Sequence, residues 1–263
     1  MSRVVFQNSN ELRETAIICV YHFSHFSPQS DTGENDLEQL TKRVLAGLSR
    51  VPADNRFVVG IVGFPGAGKS TLSGGLVDAL NQVLPAGQRA QIVPMDGYHL
   101  PNESLDRLGL RSLKGIPDTF DPVGFIELLK KVRRSPAQTL FAPAFDRSID
   151  GSIPDALRIS ADVKVIVTEG NYLLLDQDKW REIAELLDDS WFLDASIEII
   201  RPRLIERHVE GGRSLDAAIA KVESTDIPNA CLIEKTRSRA RALVKAIPNS
   251  GPGGAFQYEI SEQ

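Results

Sequence analysis

Cysteine is almost missing from this 263-residue chain: only Cys19 and Cys231 occur, far apart and without a CxxC spacing. That excludes a disulfide scaffold and a cysteine-based zinc site, and two reduced thiols fit a cytoplasmic setting. No apolar run approaches the roughly 20 residues that cross a bilayer. The stretch Ala16-Ile17-Ile18-Cys19-Val20 is too short for a secretory core and has no small-residue cleavage site after it. No membrane partner is therefore expected. Basic residues are not in excess either. Lys and Arg number 30 against 35 Asp and Glu, a net charge of −5, whereas nucleic-acid binders carry a basic balance or stripe. There is no internal repeat, no low-complexity tract, and no exposed heptad from which an oligomeric state could be read.

What the chain does have is a repeating alternation of apolar runs and helical periods. Residues 1–35 stand apart: 24–36 are rich in Ser, Asp, Gly, Asn and Pro, which predicts a poorly ordered tail. From Asp36, Leu37, Leu40, Val44, Leu45 and Leu48 fall on one helical face, and Pro52 lies just beyond. Short apolar strands are predicted at Phe57–Val62, Ala90–Met95, Val163–Val167 and Ser190–Leu193, with an edge strand at Gln257–Ile260. Between the first two, Leu72, Leu76, Val77, Leu80 and Leu84 mark a helix. Strands apolar on both faces and separated by amphipathic helices imply an α/β domain over 36–263, with a parallel sheet of about five strands covered on both sides.

The most specific motif sits between the first strand and its helix. Gly63-Phe64-Pro65-Gly66-Ala67-Gly68-Lys69-Ser70-Thr71 fits G-x-x-x-x-G-K-S in the strand-then-helix context that a phosphate-binding P-loop requires. Its glycines let successive N–H groups turn inward onto phosphate oxygens, and the helix N-terminus faces the same charge. Lys69 is expected to reach the β- and γ-phosphates of ATP, and the Ser70 hydroxyl to bind Mg2+. Nearby, Leu72-Ser73-Gly74-Gly75-Leu76 matches the letters of the ABC-transporter signature. That segment belongs far downstream of a P-loop, so these small residues are read as a place where a helix packs closely.

Two carboxylates end the second and third strands: Asp96 in Met95-Asp96-Gly97-Tyr98-His99, and Glu169 in Thr168-Glu169-Gly170-Asn171-Tyr172. Ligands bind at such strand ends in open α/β sheets. Asp96 suits a proton acceptor for an attacking hydroxyl, and Glu169 a carboxylate that helps hold Mg2+. No N-K-x-D guanine-reading segment is present.

The run Asp96 to Asn102, continued through Gly109-Leu110 to Lys114-Gly115-Ile116-Pro117-Asp118-Thr119-Phe120-Asp121, closely resembles bacterial type I pantothenate kinase. The wider group is the uridine kinase, phosphoribulokinase and pantothenate kinase superfamily. Ala144-Phe145-Asp146-Arg147 and Glu169 through Asp176 look like its branch of fructose transport system and nucleoside kinase-like proteins. The resemblance spans roughly residues 37 to 245. It implies a P-loop NTPase fold, Asp96 as catalytic aspartate, Glu169 as the magnesium-associated glutamate, and a small helical lid over about 201–224. In that segment Arg207 and Arg213, then Arg203, are the arginines expected to meet phosphate, with Gly211-Gly212 absorbing lid motion. Tyr98, His99, Lys114, Arg147 and Asn229 are the candidates for contacting the acceptor. Phe145 and Arg147 stand where pantothenate kinases carry tyrosine and histidine, so the resemblance carries the chemistry and not the substrate. The expected activity is transfer of the γ-phosphate of ATP to a hydroxyl of a small polar metabolite, such as a sugar, nucleoside or pantothenate-like molecule. The alternative is a nucleotide-binding regulatory protein that has lost transfer.

Overall fold

Strand β1 (Phe57–Gly63) is buried along its whole length, and β5 (Val163–Gly170) almost so. Only a strand covered on both faces can be apolar at every position. The computed structural model describes residues 36–134, 137–248 and 256–263; the tail expected over 1–35, with Cys19, lies outside them. Helix α1 (Asp36–Leu48) precedes β1, and α2 (Lys69–Val83) follows it. Then come β2 (Arg89–Ile92), α3 (Asn102–Leu108), α4 (Pro122–Arg134), β3 (Leu140–Asp146) and β4 (Gly151–Ile159). After β5 follow α5 (Arg181–Ala184), β6 (Asp189–Asp194), α6 (Ile197–Glu210), α7 (Leu215–Lys221), α8 (Ile227–Glu234), β7 (Ala242–Pro248) and β8 (Phe256–Glu262).

The main sheet runs β2-β5-β1-β6-β7-β8. Its first five strands are parallel, as expected, and β8 joins antiparallel to β7 as the edge strand read from Gln257–Ile260. The remaining two strands, β3 and β4, form a separate antiparallel hairpin. Neither the hairpin nor β7 was expected from the sequence. The predicted second strand is also shorter than Ala90–Met95: it ends at Ile92, and Met95–Tyr98 forms a 3-10 turn. Pro94 lies between the two and offers no N–H to continue the ladder.

Register aligns the functional strand ends. Ile61 of β1 lies opposite Glu169, and Val62 opposite Gly170. Beyond the end of β2, the Val93 N–H donates to the Val167 carbonyl at 2.9 Å, and the Thr168 hydroxyl donates to the Val93 carbonyl at 2.8 Å. The P-loop, Glu169 and Asp96 thus emerge side by side from three neighbouring strands.

The small residues of α2 pack closely, with Ser73 fully buried and Gly75 facing Leu37 of α1. A tighter approach lies beside Asp96. A Cβ on Gly97 would stand 2.2 Å from the Pro143 carbonyl oxygen of β3, so the hairpin backbone rests directly on the turn that carries the carboxylate. Gly97→Ala is expected to lower stability by about 1–3 kcal/mol, the usual cost of overpacking, as a reduced urea midpoint at unchanged slope. Wild-type stability would show that the hairpin yields freely.

Candidate active site

In the P-loop, Gly66 and Gly68 take φ of 78° and 100°, the left-handed region that glycine enters without a Cβ penalty. Ala67 is buried, Thr71 is exposed at the start of α2, and a Cβ on Gly63 would stand 2.9 Å from the Leu193 carbonyl oxygen. Lys69 heads α2 with its ammonium turned back into the loop. It donates to the carbonyls of Gly63 (3.0 Å) and Phe64 (2.9 Å) and to Oδ1 of Asn171 (2.8 Å). Ser70 Oγ donates to Glu169 Oε1 at 2.9 Å.

Lys69 and Glu169 are both buried. Burial pulls the Lys69 pKa below its ordinary value; the charges of Glu169 and Asp96 oppose that shift, and Arg207 adds to it. Burial pushes Glu169 upward, with Asp96 adding to the shift and Lys69, Ser70 and Arg207 working against it. Lys69, Glu169, Asp96 and Arg207 therefore sit within one electrostatic neighbourhood. The site also has a hydroxyl and a buried carboxylate as adjoining hard oxygen donors, the chemistry that Mg2+ favours.

Asp96 occupies the 3-10 turn after β2, and its carbonyl accepts from both the His99 N–H (3.2 Å) and His99 Nδ1 (2.8 Å). A carbonyl only accepts, so Nδ1 carries the ring proton. The His99 ring lies 4.0 Å from Phe120 and 4.7 Å from Phe145, centroid to centroid, and burial lowers its pKa. His99 therefore acts as a brace for the turn. Tyr98 stacks at 5.1 Å on Phe125 of α4, and burial raises its pKa well above the usual tyrosine value.

Arg207 is solvent-exposed on α6, yet protein crowds its guanidinium. That crowding lowers its pKa, the charge of Arg147 lowers it further, and Asp96, Asp226 and Glu169 oppose the shift. Arg147 is an exposed residue at the tip of the β3–β4 hairpin, near enough for its charge to be felt by Arg207. Arg203 Nη1 donates to the Gly66 carbonyl at 3.3 Å.

Other candidates sit differently. Arg213 Nη1 lies 2.9 Å from His208 Nδ1, and His208 Nε2 lies 2.7 Å from Asp226 Oδ2. Because a guanidinium only donates, the His208 ring proton is on Nε2 and points at Asp226. Lys114 commits its ammonium to Asn102 Oδ1 (2.8 Å) and to both the carbonyl and the carboxylate of Asp150. Asn229 is buried and donates to the Gly115 carbonyl at 3.2 Å. In this structure these three are engaged with protein groups. Asn171 is the residue the sequence reading passed over. It lies in the run from Glu169 to Asp176, and its place two residues beyond Glu169, at a strand end beside the P-loop, was the signal available.

The pattern that defines the Phosphoribulokinase / Uridine kinase family matches residues 58–251. The chain belongs to that family. Membership supports an ATP-dependent kinase acting on a small metabolite. The chain is 36% identical over 220 residues to the uncharacterized protein YggC of Escherichia coli (strain K12), covering 82% of this chain and 90% of that one. It is 40% identical over 159 residues to the ATP-dependent kinase-like protein notR' of Aspergillus versicolor, covering 57% and 92%. A crystal structure from Silicibacter sp. TM1040, carrying the provisional name fructose transport system kinase, superposes with a TM-score of 0.70 at 37% identity, covering 76% of this chain and 95% of that one. Among the described residues no helix is long and apolar enough to cross a membrane.

Proposed function

We propose that this chain transfers the γ-phosphate of ATP to a hydroxyl of a small polar metabolite, with Asp96 as proton acceptor. The observation that carries this reading is the Ser70–Glu169 hydrogen bond at 2.9 Å, next to a P-loop lysine that feels the charges of both Glu169 and Asp96. A regulatory nucleotide binder would have no need of the second carboxylate. Ser70 and Glu169 would hold Mg2+, which when bound offsets the negative charge of the phosphates.

The chain's own groups have distinct tasks. Lys69 exchanges its carbonyl and Asn171 partners for phosphate oxygens, so its charge is already in place when the nucleotide arrives. Asp96 orients the acceptor hydroxyl and takes its proton as the oxygen–phosphorus bond forms, while the bond to the ADP oxygen breaks. The His99 brace fixes the backbone of the turn from which that carboxylate projects. Arg207 places positive charge where the transferring group becomes more exposed. Tyr98 and Arg147 line the acceptor side.

The test is ADP release from MgATP across sugars, polyols, nucleosides and pantothenate. Acceptor-dependent turnover with one of these classes is expected. ATP binding with no acceptor-dependent ADP release across the panel would count against transfer to any of these classes.

A further inference from the structure

Helices α6 and α7 touch the nucleotide side of the cleft at one end and the acceptor side at the other. At the first end, Ile200 and Leu204 are buried, and Leu204 lies where a Cβ on Gly66 would approach within 3.3 Å. At the second end, Lys221 closes α7 and donates to the carbonyls of Ser112 (2.9 Å) and Lys114 (3.0 Å). Those two carbonyls belong to the loop that leads into the acceptor wall. From there the contacts continue. The Lys114 ammonium holds Asp150 in the hairpin turn and lies 5.0 Å from the Phe145 ring centroid. Phe145 stacks on His99, which braces the Asp96 carbonyl.

We propose that Lys221 is a positioning residue that couples nucleotide binding at the P-loop to the acceptor wall, through the carbonyls of Ser112 and Lys114. It rests on the kinase reading only in requiring a nucleotide at the P-loop. The physical reason is the kind of bond. An ammonium with two backbone acceptors fixes the main chain of the loop, so a shift of α7 moves that main chain and not merely one side chain. The next link is polar and partly buried: the Lys114 side chain is 10% exposed. Asp150 on its far side is 57% exposed, so the link is held by the combined contacts of the Lys114 ammonium with Asn102 Oδ1 and with the carbonyl and carboxylate of Asp150. The π-helical turn Val222–Asp226 directly after Lys221 is the kind of irregularity that re-aims side chains at functional sites.

Amide hydrogen exchange would be followed with and without MgADP in the wild type, Lys221→Met and Lys221→Arg. In the wild type, MgADP is expected to protect the P-loop and also residues 111–116 and 147–152. Lys221→Met should keep the P-loop protection and lose the distal protection by about 2- to 30-fold, the range over which coupling substitutions act. Lys221→Arg, which restores two donors, should recover part of it. A lysine that merely tied down the loop would raise exchange there equally with and without nucleotide, and that pattern would overturn the proposal. So would a wild type whose distal segments ignore MgADP, an arm that does not depend on how the variants fold. Absence of protection at the P-loop itself would instead overturn the nucleotide-binding reading beneath it. Failure of phosphate transfer, measured separately by ADP release, leaves the coupling measurement standing.

Discussion

Asp96→Asn is expected to lower kcat by about 10²–10⁴-fold, the usual contribution of a positioned general base, while the dissociation constant for MgADP moves by only a few-fold. The substitution is nearly isosteric. The His99 bonds go to the backbone carbonyl of residue 96 and not to its side chain, so the turn should survive. What is lost is the capacity to take the acceptor's proton and a negative charge felt by Lys69 and Glu169. Steady-state ADP release and a nucleotide titration separate the two effects. A variant with kcat within about tenfold of wild type would remove Asp96 from the base role. Loss of nucleotide binding together with turnover would instead point to a role in holding the metal–nucleotide complex.

Lys69→Met should be harmful in a different way. Turnover is expected to fall by about 10²–10³-fold, the loss seen when one preorganised donor to a developing anion is removed. Nucleotide affinity should fall too, by about 10- to 100-fold for a charge-assisted hydrogen bond of about 1.5–3 kcal/mol. A second consequence concerns pH. The Lys69 charge works against the burial that raises Glu169. Without it Glu169 holds its proton to higher pH in the folded variant, while the unfolded chain releases it near the ordinary value of 4.5. The folded variant then binds more protons than the unfolded chain, so its stability falls as pH rises through that window, more steeply than in the wild type. Thermal melts of the two proteins from pH 4.5 upward would check the sign. Parallel curves would mean that Lys69 and Glu169 are not coupled.

Sequence periodicity made the buried parallel strands legible because burial on both faces leaves an uninterrupted apolar run, as in β1 and β5. The hairpin was invisible for the opposite reason. Pro143 and Pro154 fall inside β3 and β4, where proline argues against a strand. Much of β4 is also exposed, so it has no apolar alternation to read. Strand β7 was not legible because Lys245 interrupts its apolar residues and leaves neither a continuous run nor a strict alternation. At the site, the P-loop is a local device, with spacing and backbone requirements contained in nine residues, and it could be read directly. Asn171 was missed because its contact with Lys69 spans 102 positions. The same holds for Lys114 and Asn229: their residue types fit acceptor contacts, and only the folded chain reveals partners already at hand.

The hairpin shares no strand pairing with the six-stranded sheet. It is joined to the turn around Asp96 by the Gly97–Pro143 contact and by the Ser152 hydroxyl donating to the His99 carbonyl at 3.2 Å, and to the loop beyond by the Lys114–Asp150 pair. A change of length or composition at its tip, around Arg147, therefore leaves the register of the phosphate-binding strands untouched. On the proposed reading, the hairpin tip is the place where acceptor preference can drift, because its sequence can vary without re-pairing the strands that carry the P-loop, Glu169 and Asp96.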